Sequence, residues 1–319
     1  MDTASSSPVE IDWLGKVDIC FSGAFTHEAR GTGPDFHDWD GDNPVLYVSS
    51  SAVHGPGSSP EWIFSAGSFG REPKFQLSLM VDLKDRYSWH ANGAETGPAF
   101  VRHADRAEID ATLTSPAGDR TVSVKGTVWC PPSRPQTTVP SGVRQMLESV
   151  AGTKSRAYST FEFGREQDQC CASVIVSREE AEDLVRALRQ KLQPGWVTFM
   201  GTSRWLGKEQ HGGVEVVVGP GTNQFDILRI ARSNAANYDM NTAALAKKLL
   251  TYDQQFGIDI FHAETDTIEF ALKRMPGDMQ AFAEDLYEFC PDIVDQGVES
   301  VDALRKGIAE VRTVYLWWD

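Results

Sequence analysis

The stretch that decides the fold class is Ser173–Met200, SVIVSREEAEDLVRALRQKLQPGWVTFM. Its first four residues indicate a buried strand, and Ser177 followed by Glu180 matches a capping box at a helix start. The apolar stripe of this helix consists of Ala181, Leu184, Val185 and Leu188. Pro194-Gly195 ends the helix, and Trp196–Met200 is again strand-like. The stretch therefore predicts a strand–helix–strand unit.

The chain on both sides of this unit continues the alternation of strands and helices. Helices are predicted at Ser141–Val150 and at Thr242–Phe256, which ends at Gly257, and two more begin at the capping residues Asp278 and Ser300. The predicted strands are Tyr158–Phe163, Val214–Val218, Phe225–Ile230, Ile258–Phe261, Thr267–Leu272 and Thr313–Trp318. Residues 141–319 are thus predicted to form a mixed-sheet α/β domain.

Residues 1–132 have a different character. Their predicted strands are Gly15–Thr26, Val45–Val53, Trp62–Phe69, Phe75–Val81, Ala107–Thr114 and Thr121–Trp129. Short strands separated by turn residues predict an antiparallel, sandwich-like β domain. Four prolines between Pro131 and Pro140 make residues 133–140 the predicted linker, because proline lacks the amide donor that helices and central strands need. The whole chain is therefore of the α+β class with two domains.

Composition excludes several classes of partner. The chain has 319 residues with 30 Lys and Arg against 45 Asp and Glu, a formal charge of −15. An acidic chain repels phosphate backbones, so we expect no nucleic-acid partner, and no run approaches the roughly 18 apolar residues of a membrane span. The five cysteines include no CxxC pair, which favours a reduced, cytoplasmic setting. No nucleotide-binding or zinc motif occurs, so no cofactor is expected.

The negative charge is concentrated at the two ends of the sequence. Residues 1–135 carry 11 basic and 18 acidic side chains, a balance of −7. Residues 136–256 carry 14 and 13, a balance of +1, and residues 257–319 carry 5 and 14, a balance of −9. Such segregation is typical of proteins that attract a basic partner, because complementary fields accelerate association. The sequence therefore predicts two acidic surfaces.

The last part of the chain carries family-like blocks. They include Tyr252-Asp253, Gly257-Ile258-Asp259-Ile260, the run YEFCPDIVDQG over residues 287–297, and the terminal Leu316-Trp317-Trp318-Asp319. On these residues the chain resembles, over about residues 196–319, the bacterial family called domain of unknown function 4253. The resemblance brings no established activity. It implies a compact bacterial α+β domain of a kind associated with toxin–immunity gene neighbourhoods.

Exposed acidic and aromatic residues are the candidates for partner binding. They are Asp35, Asp38, Asp40, Asp42, Asp292, Asp295 and Trp318. The aspartates around Asp38 fail the calcium pattern of an EF-hand, because Asn43 replaces the required glycine and Ser49 the required glutamate. No catalytic residue is predicted: Cys290 follows a helix and has acidic neighbours, which disfavours a reactive thiolate.

Two weaker sets concern small ligands and metals. Asp226, Asn237 and Tyr238 combine hydrogen bonding with a stacking ring and could line a ligand pocket. His262, Glu264 and Asp266 could contribute to a metal site, with Asp259 on the opposite side of the strand. A solvated acidic hairpin end is the alternative interpretation of that set.

The leading hypothesis is a non-catalytic acidic binding protein, in particular an immunity protein that binds and neutralises a basic toxin domain. One alternative is a metal-dependent, hydrolase-like enzyme that uses the cluster Asp259, His262, Glu264 and Asp266. A second alternative is a structural interaction module that assembles through its β domain. The oligomeric state is left open.

Overall fold

The computed structural model describes residues 11, 13–32, 35–37, 45–50, 53, 59–68, 75–82, 84–90, 99–103, 105–129, 138–159, 161–165, 167–206, 211–238 and 240–319. The chain divides into two compact units. One spans Asp12–Ser133, and the other contains Arg134–Asp319. The division falls at the proline-rich segment that the sequence predicts as a linker.

The described residues of the N-terminal unit form one curled antiparallel sheet of ten strands. The strands are β1 (Lys16–Gly23), β2 (His27–Thr32), β3 (Asp35–His37), β4 (Val45–Ser49), β5 (Trp62–Ser68), β6 (Phe75–Val81), β7 (Asp85–His90), β8 (Phe100–Arg102), β9 (Arg106–Thr114) and β10 (Thr121–Trp129). Their order is β2-β1-β10-β9-β7-β6-β5-β4-β3, and β8 also pairs with β9.

Alternating side chains build the core of this sheet. Val17, Ile19 and Phe21 of β1 are buried while their neighbours face solvent, as the period of two requires. The ring of Phe21 lies 5.3 Å from that of Trp62, centroid to centroid. Gly126 allows β10 to approach β1 closely, because a Cβ there would overlap the carbonyl oxygen of Asp18. The antiparallel β domain predicted from the sequence is confirmed.

The described residues of the C-terminal unit form a seven-stranded mixed sheet. Its strands are β11 (Arg156–Ser159), β12 (Gln167–Val176), β13 (Trp196–Met200), β14 (Val214–Pro220), β15 (Ile258–Ala263), β16 (Thr267–Leu272) and β17 (Thr313–Trp317). Their order is β11-β12-β14-β13-β15-β16-β17. Among these described strands, the parallel neighbours are β13 and β15, which meet at Met200 and His262.

Helices cover both faces of this sheet. They are α1 (Ser141–Ala151), α2 (Phe161–Gly164), α3 (Arg178–Lys191), α4 (Asp226–Ala231), α5 (Thr242–Phe256), α6 (Met279–Phe289) and α7 (Val301–Val311), with a π-helical turn at Ile293–Val298. On one face, Leu147 of α1 and Leu188 of α3 pack in a core with Val216 of β14. Gly219 of the same strand faces the other side, where Ile230 of α4 lies against it.

The helix boundaries follow from the capping residues. The predicted box at α3 is present, because Ser177 accepts from the N–H of Glu180 and the Glu180 carboxylate accepts from the N–H of Ser177. Asp278 and Ser300 cap α6 and α7, because their side-chain oxygens accept from backbone N–H groups of the first turn. Gly257 follows α5 with a φ of 65°, a conformation that favours glycine. These four boundaries are confirmed.

Two predicted strands are wrong or incomplete. Phe225–Ile230 forms most of α4, not a strand, because Asp226 accepts from the N–H groups of Thr222 and Asn223 and so starts a helical turn. A short apolar run that is buried all round has no period to distinguish the two structures. The extended segment predicted from Tyr158 ends at Ser159, and residues 161–164 are the short helix α2.

Candidate functional site

The carboxyl ends of β13 and β15 bring the predicted metal-binding residues near a polar loop. The loop Gly201–Leu206 follows β13 directly, and Glu264–Asp266 forms the turn after β15. Because the two strands are parallel, their ends lie at the same edge of the sheet, which is where ligand sites of open α/β sheets occur. We call the group His262, Glu264, Glu269 and Ser203 the "strand-end cluster".

His262 lies between two carboxylates. Its Nδ1 is 2.6 Å from Oε1 of Glu269, and its Nε2 is 3.0 Å from Oε1 of Glu264. The same Nε2 is 3.2 Å from the carbonyl oxygen of Gly201. The His262 residue is 1% exposed and Glu264 is 4% exposed. Both ring nitrogens therefore have acceptors around them, which favours the doubly protonated ring.

The charge state of this cluster follows from its contacts. Burial alone would lower the pKa of His262, but the hydrogen bonds and charges of Glu264 and Glu269 outweigh it and raise the pKa to about 9. Burial would raise the pKa of both glutamates, and the bond to His262 lowers it in each. At neutral pH the imidazolium is thus neutralised by buried anions and has no lone pair to act as a general base.

Further polar groups surround Glu264. Ser203 donates its hydroxyl to Glu264 Oε1 at 2.5 Å, whereas Glu264 Oε2 has no hydrogen-bond partner among the described residues. Tyr158 is fully buried, and its burial together with the charges of Glu215 and Glu264 raises the pKa of its phenol. Ser173 donates a short hydrogen bond to Glu215. Tyr158, Ser173, Glu215 and Glu264 are buried, and Ser203 is half-buried.

The remaining predicted metal ligands are not part of one site. Asp266 pairs with Arg204 at 2.7 Å, and Asp259 pairs with Arg189 at 2.6 Å. Arg189 also donates to the carbonyl oxygen of Ile260, which ties α3 to β15. No group of three His, Cys, Asp or Glu side chains that could hold a metal occurs within the described ranges. The set His262, Glu264 and Asp266 is therefore corrected: His262 and Glu264 bond to each other, and Asp266 pairs with Arg204 instead.

The predicted ligand-binding residues Asp226, Asn237 and Tyr238 also do not form one site. Asp226 is 4% exposed and its carboxylate is used by the turn before α4 and by Arg229, at 3.0 Å. Asn237 and Tyr238 lie in an exposed 3₁₀ turn, Ala236–Tyr238. Tyr238 donates its hydroxyl to Asp292 at 2.8 Å, and this bond raises the pKa of Tyr238 to about 12. Asp226 thus has a structural role in its turn, and Tyr238 belongs with Asp292.

Two residues predicted to bind a partner are buried. Asp292 is 6% exposed and accepts from Tyr238, from Gln296 and from the N–H of Asp319. Trp318 is 3% exposed, and its ring packs edge-to-face against Phe289 at 5.4 Å. The prediction that their side chains form a partner surface is corrected, because both hold the last strand and the π-helical turn together.

Cys290 is part of the same interior. It is fully buried, and burial raises the pKa of its thiol to about 12. The thiol donates to the carbonyl oxygen of Trp317 at a distance of 3.1 Å. A protonated, hydrogen-bonded thiol is a packing residue, as its acidic sequence neighbours indicate.

Asp295 remains exposed and has acidic neighbours on α6. Tyr287 donates its hydroxyl to Asp295 at 2.9 Å, which joins the π-helical turn to α6. Glu284 and Glu288 of α6 are exposed and one turn apart. We call Glu284, Glu288 and Asp295 the "acidic surface". Its helical members were not singled out from the sequence, although the absence of Lys and Arg from α6 is a signal that could have identified them.

The N-terminal acidic candidates receive less structural description. Asp35 lies at the start of β3, where the backbone is described. Asp38, Asp40 and Asp42 lie outside the described residues. Their predicted role in partner binding stays a prediction.

Comparison with protein families identifies the C-terminal region. Residues 215–319 match the family model described as Domain of unknown function (DUF4253). We call residues 215–319 the DUF4253 region, because this part of the chain is similar to that family. It includes β14, the hairpin β15–β16, the acidic surface and β17, but it excludes β12 and β13. The resemblance seen in the sequence is thereby confirmed for the C-terminal part.

Other comparisons with the whole chain found nothing. No curated protein and no solved structure matches it. In the described part of the chain, no helix has the length and apolar character needed to cross a membrane.

Proposed function

We propose that this chain is a non-catalytic acidic binding protein, and specifically an immunity protein that neutralises a cognate basic bacterial toxin by direct binding. The observation that carries the proposal is the acidic surface. Its carboxylates are exposed, and none of them has an ion-pair partner among the described residues. The family resemblance implies an association with toxin–immunity gene neighbourhoods, and this implication supports the specific form.

The position of the acidic surface on α6 costs stability. Glu288 lies in the last turn of α6, where the negative end of the helix dipole opposes a carboxylate by about 0.3–1 kcal/mol. Glu284 and Glu288 are also an i, i+4 pair of like charge, which is unfavourable. Asp285, between them in sequence, is compensated by Lys248 at 2.6 Å. Charge kept where folding disfavours it is typical of a binding surface.

The strand-end cluster supports a binding role over a catalytic one. His262 and Glu264 are almost fully buried and are used by each other. Asp266 and Asp259 have arginine partners on the surface. A hydrolase needs a general base that a substrate can reach, and the side chains of His262 and Glu264 are too buried to be reached by one.

Capture from a lysate of the native host tests the proposal. The baits are the wild-type chain and the double variant Glu284→Lys, Glu288→Lys. The matched control is Glu179→Lys, Glu182→Lys, which makes the same charge change on exposed positions of α3. We expect wild type and control to retain a basic protein and the α6 variant to lose it.

The captured protein is then produced in host cells with and without each variant. An immunity protein restores growth, and the α6 variant restores it poorly. Capture of no basic protein, or equal capture and protection by both double variants, would contradict the proposal.

A further inference from the structure

The edge of the mixed sheet at β17 has outward-facing backbone groups. Among the described strands β17 is last in the order, so a described strand lies on one side of it only. Leu272 donates its N–H to the carbonyl of Arg312, and Trp318 donates to the carbonyl of Asp266. Because bonding alternates along an antiparallel ladder, the even-numbered residues of β17 face β16. The N–H and C=O groups of Thr313 and Tyr315 therefore point away from the sheet.

One end of this edge is covered. The carbonyl oxygen of Trp317 also points outward, and the thiol of Cys290 donates to it. The open part of the edge is therefore Thr313–Tyr315. It offers two N–H donors and two C=O acceptors to an incoming strand.

β17 lacks the devices that protect other edges of this protein. Its sequence, TVYLW, has no charge and no proline, and its register with β16 is unbroken. At the opposite edge, β11 carries Arg156 and a register shift between Ala157 and Tyr158. In the N-terminal sheet, the end strand β2 carries exposed Glu28 and Arg30. An uncharged, regular edge is a template for strand addition.

Exposed apolar side chains adjoin the open edge. Tyr315 is 48% exposed and Val311, just before the strand, is 63% exposed. Both belong to the small number of large hydrophobic residues that the described surface leaves in water. They provide apolar contact for side chains of an added strand.

The charge near β17 selects the occupant. β17 contacts the π-helical turn, which carries Asp295 of the acidic surface. A second copy of this chain would bring like charge to that place, because residues 257–319 have 14 acidic and 5 basic side chains. A basic segment brings the opposite charge.

We infer that the open edge of β17 binds an extended, basic segment of the partner protein by strand addition. Thr313 and Tyr315 supply the main-chain hydrogen bonds, and Val311 and Tyr315 supply the apolar contact. The inference rests on the proposed function, since the acidic surface attracts the partner and the edge holds one segment of it in place.

The test uses two fluorescein-labelled peptides and the full chain. The probe is a basic strand-forming peptide, acetyl-KVKVTVKVK-amide. The control peptide, acetyl-KVKPTPKVK-amide, has the same charge, but its prolines prevent strand pairing. Fluorescence anisotropy should show that the probe binds about tenfold more tightly than the control peptide.

A variant and an exchange measurement locate the binding site. Tyr315→Pro removes an outward N–H that the β16 ladder does not use, and Val314 before it is extended, so the fold should tolerate it. It should abolish the difference between the two peptides. In wild type, hydrogen exchange of the Thr313–Tyr315 amides should slow when the probe is added, and this result does not depend on the variant.

The outcomes separate this inference from the proposed function. In one outcome, both peptides bind equally well without protecting β17, and binding is lost in Glu284→Lys, Glu288→Lys. This result would overturn the inference about the β17 edge and would support the role of the acidic surface. Binding of neither peptide also overturns the edge, while capture from the lysate decides the proposed function. A dimer with β17 protected in the absence of peptide would show that a second copy occupies the edge, and would overturn the inference.

Discussion

His262 shows how one buried residue can make stability depend on pH. Its pKa is about 9 in the folded chain, against about 6.5 for an unfolded one, so its stabilising effect is complete below about pH 6.5 and disappears as the pH rises through about 9. The pKa values of Glu264 and Glu269 are lowered, so their effect is present above about pH 4.3 and is lost in acid.

We predict that His262→Gln lowers the free energy of unfolding by about 3–5 kcal/mol at pH 6, because it leaves the buried carboxylate of Glu264 without its cation, while Glu269 keeps Arg178 at 3.2 Å. The difference from wild type should shrink between about pH 6.5 and 9.5. Urea unfolding of both proteins across this range measures it. A difference that stays constant with pH would show that the ring is neutral in the folded chain.

Gly201 packs directly against the side chains of Tyr158 and Val217, so a larger residue there should lower stability. A Cβ at this position would be 2.8 Å from a ring carbon of Tyr158 and 2.8 Å from a methyl group of Val217. We predict that Gly201→Ala destabilises the chain by about 1–3 kcal/mol through overpacking. The control is Gly307→Ala in α7, where no atom lies within 4 Å of the new Cβ and helix propensity should add about 1 kcal/mol. Equal midpoints of thermal unfolding for both variants would contradict the prediction.

At the scale of one element, α6 combines a good start with an unfavourable end. Asp278 accepts from the N–H groups of Gln280 and Ala281, which stabilises the first turn. Its last turn has Glu288 and no basic residue. In α3 the arrangement is the reverse, with Glu179 in the first turn and Lys191 in the last. The dipole therefore favours the charges of α3 and opposes those of α6.

We predict that Glu288→Gln raises the free energy of unfolding by about 0.3–1 kcal/mol, and that Glu179→Gln lowers it by a similar amount. Both changes remove one exposed carboxylate, so they differ only in their place along a helix. Chemical denaturation in low salt measures the pair. If both variants shift in the same direction, the helix dipole is not the cause.

At the same scale, local sequence signals were enough to predict several helices, but they were not enough to predict contacts between distant residues. Capping residues and apolar stripes identified α3, α5 and the starts of α6 and α7, because these signals lie within a few residues of each other. The strand assigned to Phe225–Ile230 was wrong because its apolar run has no period. Ion pairs such as Arg204 with Asp266 were not predictable, since they join residues 62 positions apart through the sheet order. For the same reason the sequence placed Asp259, Glu264 and Asp266 in one candidate cluster.

At the scale of the whole molecule, several of the acidic side chains behind the formal charge of −15 are paired within the C-terminal unit. His262, Arg204, Arg189 and Lys248 each neutralise acidic side chains of the region after residue 256. The carboxylates without such partners include those of the acidic surface. The segregation of charge was visible in the sequence. Which of the candidate residues are exposed was not, because the burial of Asp292 and Trp318 depends on tertiary packing.

We predict that the association rate with a basic partner falls steeply with ionic strength, because screening shortens the reach of the acidic surface. Between about 0.05 and 0.5 M salt, stopped-flow rates should drop by at least about tenfold for wild type. The variant Glu284→Lys, Glu288→Lys should associate slowly and lose most of this dependence. A salt dependence equal to that of wild type would place the steering charge elsewhere, for example at Asp35–Asp42.

The strand order has a consequence for any attempt to isolate the DUF4253 region. Residues 215–319 supply β14 and β15, but β13, which precedes them in sequence, lies between these two strands in the sheet. A fragment that begins at residue 215 would have a gap one strand wide at the centre of its sheet, with the apolar edges of β14 and β15 facing water. Such a fragment should aggregate, whereas one that begins before α1 retains every strand of the sheet. The boundary of evolutionary resemblance and the boundary of independent folding are thus different in this protein.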